Sequence, residues 1–172
     1  VGGLRVGGHQ AWDAEFRKFL REHWQQVGQA SGQEFNMGLL DLAAFNYDTE
    51  PACRAVVAAK NISMNLDLPN QTILQFYVAI QRKFYVDNQD PKQVDFYKSI
   101  CADTQINFDD FKNAFLSDEI KQQTAAEFNV IRNWGGNGYP TLLVSDGKTL
   151  ELVSSGYQKS EILIQALDKL LL

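Results

Sequence analysis

The sequence predicts an α/β protein in which a long helical block stands between a first strand and a closing hairpin-plus-helix unit. Three observations carry this. Apolar residues recur at spacings of three and four through most of residues 11–133, the period of helices with one buried face. The stretch "TLLVSDGKTLELVSSG" (141–156) reads instead as two short strands joined at Asp146-Gly147, a strong hairpin dipeptide. A last amphipathic stripe, Ile162, Leu163, Ala166, Leu167 and Leu170, closes the chain.

Taken in order, residues 1–8, "VGGLRVGG", read as the end of a strand and a glycine-rich turn. Trp12, Phe16, Phe19, Leu20, Trp24 and Val27 then form one helical stripe, stopped by Gly28 and Ser31-Gly32. Residues 33–47 are mixed, with a short helix. "YDTEPACRAVVAAKNI" is a helix start: Asp48 or Thr49 caps, Glu50 suits the positive end and Pro51 the first turn. Ala55, Val56, Ala59 and Ile62 continue its buried face, and Pro69-Asn70 ends it. The next helix carries Leu74, Tyr77, Val78 and Phe84. Asp90-Pro91 opens another with Val94, Tyr97 and Ile100. Asn107 or Asp109 starts one through Phe111 and Phe115, and Ser117 or Asp118 one through Ile120, Phe128 and Ile131.

A lone two-stranded hairpin is marginal in water, so the helices need a wider sheet to cover. The strand at 1–5 would supply one partner. A parallel neighbour reached through a crossover helix would supply another. No stretch of the 172 residues reads as that unit, so a β-α unit on the order of 30 residues is expected ahead of Val1.

Composition narrows the function. Apolar residues make up 45% and charged residues 22%, ordinary for a globular domain with an inserted subdomain. The net charge of −5 argues against nucleic acid or an anionic membrane as partner. No apolar run approaches the ~20 residues that span a bilayer. Cys53 and Cys101 make neither a C-x-x-C pair nor zinc spacing, and His9 and His23 lack a ligand pattern, so no metal is expected. Two isolated cysteines fit a reducing compartment. The start without methionine fits a processed or truncated chain.

The densest candidate site is "NWGGNGYPTLLV" (133–144). Phosphate loops lead into a helix, and here Pro140 leads into a strand, so phosphate binding is disfavoured. An aromatic-Pro bond before a strand is a candidate cis peptide, behind glycines that allow close backbone approach. Tyr139 could then offer backbone groups to an extended peptide. The competing reading is a proline that merely begins an edge strand, and the residues alone leave both open. Cys53, in a first helical turn, could be a reactive thiolate, but a small buried residue fits better. Asp48, Glu50, Asp67, Asp109 and Asp110 read mostly as helix-capping groups.

"GGLRVGG", "FNYDTEPACRAVVAAK" and "NGYPTLLV…GY", in this order and spacing, resemble the bacterial DsbA-like thiol-disulfide oxidoreductases, in particular the cytoplasmic FrnE-like branch. The resemblance runs from Val1 to the C-terminus. It implies a thioredoxin-like fold in two parts, 1–8 and 134–172, with a helical insertion at 9–133. It makes Pro140 the cis-proline facing the redox site, and Tyr139 with Thr141 the substrate-binding edge. Thr49 would line the cleft from the helical side. The family's C-x-x-C follows the first strand, where the helix dipole favours the thiolate. That motif is expected before Val1, so the 172 residues should contain no catalytic residue and be inactive alone. The implied partners are protein or peptide thiols and disulfides, with glutathione as co-substrate, no resident cofactor, and a monomer or homodimer. Two alternatives stand beside this. One is a glutathione-dependent isomerase or transferase with a Ser at the first thiol position. The other is a peptide-binding module without a nucleophile.

Overall fold

The helical block is punctuated by caps that the chain carries beside its apolar stripes. Helix α1, Ala14–Ser31, opens on Asp13, whose carboxylate accepts the Phe16 N–H (2.8 Å), and stops at left-handed Gly32 (φ 73°). A 3₁₀ turn, Met37–Asp41, follows. Then come α2 (Glu50–Asn65), α3 (Asn70–Tyr85), a 3₁₀ turn (Val94–Tyr97) running into α4 (Lys98–Asp103), α5 (Phe108–Leu116) and α6 (Asp118–Asn133). Strands β1 (Thr141–Ser145) and β2 (Leu150–Ser155) and helix α7 (Ser160–Leu171) complete the order. The structure, a computed structural model, describes residues 1–136 and 138–171. Its contacts gather into two compact units, one of Val1 and residues 3–125, the other of Gly2 and residues 126 onward.

The core of the first unit forms around α2. Ala55, Val57, Ala58 and Ala59 are fully buried, and these small side chains let larger ones close over the helix. Phe76 of α3, Tyr97, Ile100 and Cys101 around α4, and Phe111 and Phe115 of α5 do so. Tyr97 and Phe76 stack (6.3 Å between centroids), and the buried Tyr97 hydroxyl donates to the Pro91 carbonyl (2.7 Å). A second cluster joins Phe16, Leu20 and Trp24 of α1 to Leu39, Leu40 and Phe84.

Several expectations need correction. Phe19 and Val27 of α1 are exposed, outside the buried line Phe16, Leu20, Trp24. On α3 the buried face is Thr72, Phe76, Ile80 and Phe84, while Leu74, Tyr77 and Val78 face solvent. Apolar side chains surround this helix, so the face it buries is chosen by its neighbours α2 and α4. The helix expected at Asp90-Pro91 starts later, as the turn at Val94. Asp90 instead closes a local turn by accepting the Lys92 N–H (3.0 Å).

The strand expected at residues 1–5 is also replaced. Arg5 N–H donates to the Thr49 hydroxyl (3.0 Å), Thr49 N–H to the Arg5 carbonyl (3.3 Å) and Gly7 N–H to the Asp48 carboxylate (2.9 Å). The backbone groups that a strand would spend on a sheet are used on the loop before α2.

In the second unit β1 and β2 pair antiparallel from Thr141↔Ser155 to Ser145↔Leu150, with an irregularity between Leu142 and Leu143. Among the described residues the sheet has these two strands only. Asp146-Gly147 begins a four-residue loop and is not itself a two-residue turn. The Asp146 carboxylate accepts the N–H groups of Lys148 and Thr149 (2.8 and 2.7 Å) and the Thr149 hydroxyl. Helix α7 packs on β2. Its Ile162 and Leu170 are exposed, while Leu163, Ala166 and Leu167 are half-buried.

Candidate functional site

The path into β1 is set by how α6 ends. Gly135 takes a left-handed φ of 79°, and the Gly136 N–H returns to the Ile131 carbonyl (2.9 Å). A Cβ at Gly136 would lie 2.6 Å from Ile131 Cγ2 and 3.0 Å from its carbonyl oxygen, so only glycine passes here. Asn137 lies outside the described residues. Thr141 then donates its hydroxyl to the Gly138 carbonyl (2.6 Å), tightening the turn before the strand.

The Tyr139–Pro140 peptide is cis. The Pro140 carbonyl accepts the Gly156 N–H (2.8 Å), so the β1–β2 pairing reaches back to the proline. A proline can occupy this position because its carbonyl is the group in use. Among the described residues nothing bonds to the backbone N–H or C=O of Tyr139. Tyr139 and Pro140 are both exposed. The Tyr139 ring lies over Gly2 so closely that a Cβ there would overlap its hydroxyl and ring carbons. That partner was not read from the sequence; its only signal is a glycine pair near the start. Tyr139 and Pro140 thus form an exposed edge that runs into half-buried Thr141.

Thr49 belongs to the first unit. It precedes α2 without capping it through its side chain. Capping falls to Asp48, whose carboxylate accepts the Glu50 N–H (2.9 Å) as well as that of Gly7. Beside this loop the Arg5 guanidinium lies over the rings of Phe16 (4.9 Å) and Tyr47 (5.7 Å). The Tyr47 and Tyr85 hydroxyls are 3.3 Å apart, and burial pushes both phenols above their ordinary range.

The other candidates take structural places. Cys101 is fully buried on α4, and burial pushes its thiol up to about 12, the opposite of an activated nucleophile. Cys53 is half-buried in the first turns of α2, and neither cysteine forms a disulfide. His23 stacks on Phe19 at the surface (5.9 Å). Asp109 and Asp110 are capped, not capping: their N–H groups donate to the Asn107 carbonyl oxygen of the side chain (2.9 and 3.0 Å). Glu50 pairs with Arg54 (3.2 Å), yet burial raises its carboxyl pKa. Among the described residues no group of three potential ligands could hold a metal ion, and no helix is long and apolar enough to cross a membrane.

No family model and no curated protein matches the chain. Solved structures do. A Nitrosomonas europaea protein, provisionally described as a protein disulfide isomerase, is 36% identical, with a TM-score of 0.84. The match covers 99% of this chain and 78% of that one. The cytosolic disulfide reductase DsbM from Pseudomonas aeruginosa, in its structure with glutathione, gives 20% identity and a TM-score of 0.73, covering 99% and 82%. Another DsbM structure gives 19% and 0.73, covering 95% and 81%. At those identities DsbM speaks for the fold alone. The Nitrosomonas match, over nearly the whole chain, goes further: this chain belongs to the DsbA-like thiol-disulfide oxidoreductase family, whose thioredoxin-like fold carries a helical insertion.

Proposed function

We propose that the protein, with sequence preceding Val1, catalyses dithiol–disulfide exchange on peptide or protein substrates, as a reductase or isomerase, with glutathione as co-substrate. The observation that carries this is the 36% identity to the Nitrosomonas protein across 99% of the chain. A preceding β-α unit would add strands to the hairpin and bring the C-x-x-C pair to a helix N-terminus, where a thiolate is favoured. That thiolate attacks one substrate sulfur and forms a mixed disulfide. The other substrate sulfur leaves as a thiolate and takes up a proton. The second protein thiol, once deprotonated, then attacks the mixed disulfide, so the substrate is reduced and the protein pair oxidised. Two glutathione molecules would reduce the pair again and leave as glutathione disulfide.

In this reading residues 1–8 and 134–172 belong to the thioredoxin-like part and 9–133 to the insertion. Tyr139, Pro140 and Thr141 present the substrate, and Thr49 lines the cleft from the helical side. The unengaged backbone groups of Tyr139 support pairing with an extended peptide. The "cytosolic" description of DsbM and the two isolated thiols support a cytoplasmic setting. The test compares the longer protein with Val1–Leu172 in glutathione-driven reduction of a peptide disulfide. Activity is expected in the longer protein alone; equal activity in Val1–Leu172 would remove the chemistry from an upstream pair.

A further inference from the structure

We propose that Arg5 binds a carboxylate of the thiol or disulfide peptide on which the protein acts. The inference deepens the reading above and rests on it for the substrate class.

Arg17, Arg21, Arg54 and Arg132 each donate to a protein oxygen. Arg5 is half-buried, yet among the described residues no carbonyl or carboxylate accepts from its guanidinium. Asp48, next to Tyr47 in sequence, directs its hydrogen bonds elsewhere: its Oδ1 accepts the N–H groups of Gly7 and Glu50. The group is nonetheless held firmly. Its backbone is tied to Thr49 on both sides, and its plane rests on Phe16 and Tyr47. A guanidinium partly withdrawn from water keeps five donors that want acceptors. Its fork matches the two oxygens of a carboxylate. Thr49, on the same clamp, is the residue that the reading above assigns to the substrate cleft. The Tyr47 and Tyr85 hydroxyls, protonated at neutral pH, add uncharged donors nearby and no competing anion.

A purely structural Arg5 would staple residues 3–8 to the helices and make no distinction between charged and neutral ligands. The experiment uses that contrast. In the longer protein, the affinities of glutathione and its diethyl ester are measured by calorimetry for wild type, Arg5→Met and Arg5→Lys. Arg5→Met is expected to weaken glutathione roughly tenfold, the scale of one charge-assisted hydrogen bond, and to leave the ester unchanged. Arg5→Lys, which keeps the charge and the packing, should recover part of the loss. Equal loss for both ligands, or no loss for either together with none in the peptide arm, overturns the proposal. A second arm uses a peptide disulfide with and without an acidic residue beside the cysteine. Selective loss there alone assigns the carboxylate to a protein substrate. Selective loss in a protein that fails the exchange assay leaves this proposal standing and removes the reading of its chemistry.

Discussion

The two units bury their side chains very differently. In the first, α2 lies under rings from α3, the 3₁₀ turn before α4, and α5, and Phe76, Tyr97 and Phe111 are fully enclosed. In the second, Gly136 is the one buried residue among those described. Leu142, Leu143 and Val144 of β1 are half-buried, Leu152 is 62% exposed and Ile164 is 56% exposed. Both units carry apolar residues at the right period, so the contrast is not one of patterning. A helix bundle can close a core from sequentially adjacent helices. A two-stranded sheet cannot cover its own faces, and its stability depends on further layers.

The sharpest test of this contrast is a pair of truncations. In Val1–Leu172, Phe111→Ala should cost about 3–5 kcal/mol in denaturant melts, while Leu152→Ala should stay within about 0.5 kcal/mol. If a preceding β-α unit covers the hairpin, the cost of Leu152→Ala should rise in the longer protein. A cost that stays near zero there would argue that nothing covers it. The next largest effect is pH-dependent. The Cys101 thiol keeps its proton in the folded state up to about 12, against an ordinary value of 9.0. Unfolding frees it to ionise above pH 9, so this contribution is intact below that pH and is lost as pH rises toward 12. Cys101 should contribute up to about 1.4 kcal/mol per pH unit of slope within that window, read as the difference between wild type and Cys101→Ala in denaturation midpoints at pH 8–11. A slope unchanged in the variant would place the titration elsewhere.

What could be read from the sequence was what neighbouring residues decide. Pro51 in a first turn, Asn107 before Phe108 and the glycines after α6 announce their elements within a few positions. The stretch around Tyr139-Pro140 was locatable for the same reason. The strand reading of residues 1–5 fails because the backbone partner of Arg5, Thr49, lies more than forty positions away, as does Asp48, the partner of Gly7. The solvent face of α3 was misread because Leu74, Tyr77 and Val78 are as apolar as Phe76 and Ile80, and only packing separates them. Within the candidate site, the contact of Tyr139 with Gly2 and the clamp of Arg5 on Thr49 join distant parts of the chain, and no spacing rule reports them.

The tryptophans give the molecule an optical consequence. Trp24 is 3% exposed inside the α1 cluster, whereas Trp134, just beyond α6, is 51% exposed. One sits among Phe35, Phe84 and Tyr85 and reports the integrity of the first unit. The other samples solvent in the second. Iodide should quench Trp134 strongly, half-buried Trp12 in part and Trp24 least, so Trp134→Phe should remove the largest share of the quenching. The quenching lost in Trp134→Phe then follows the second unit, and would register directly any added sequence that settles over it.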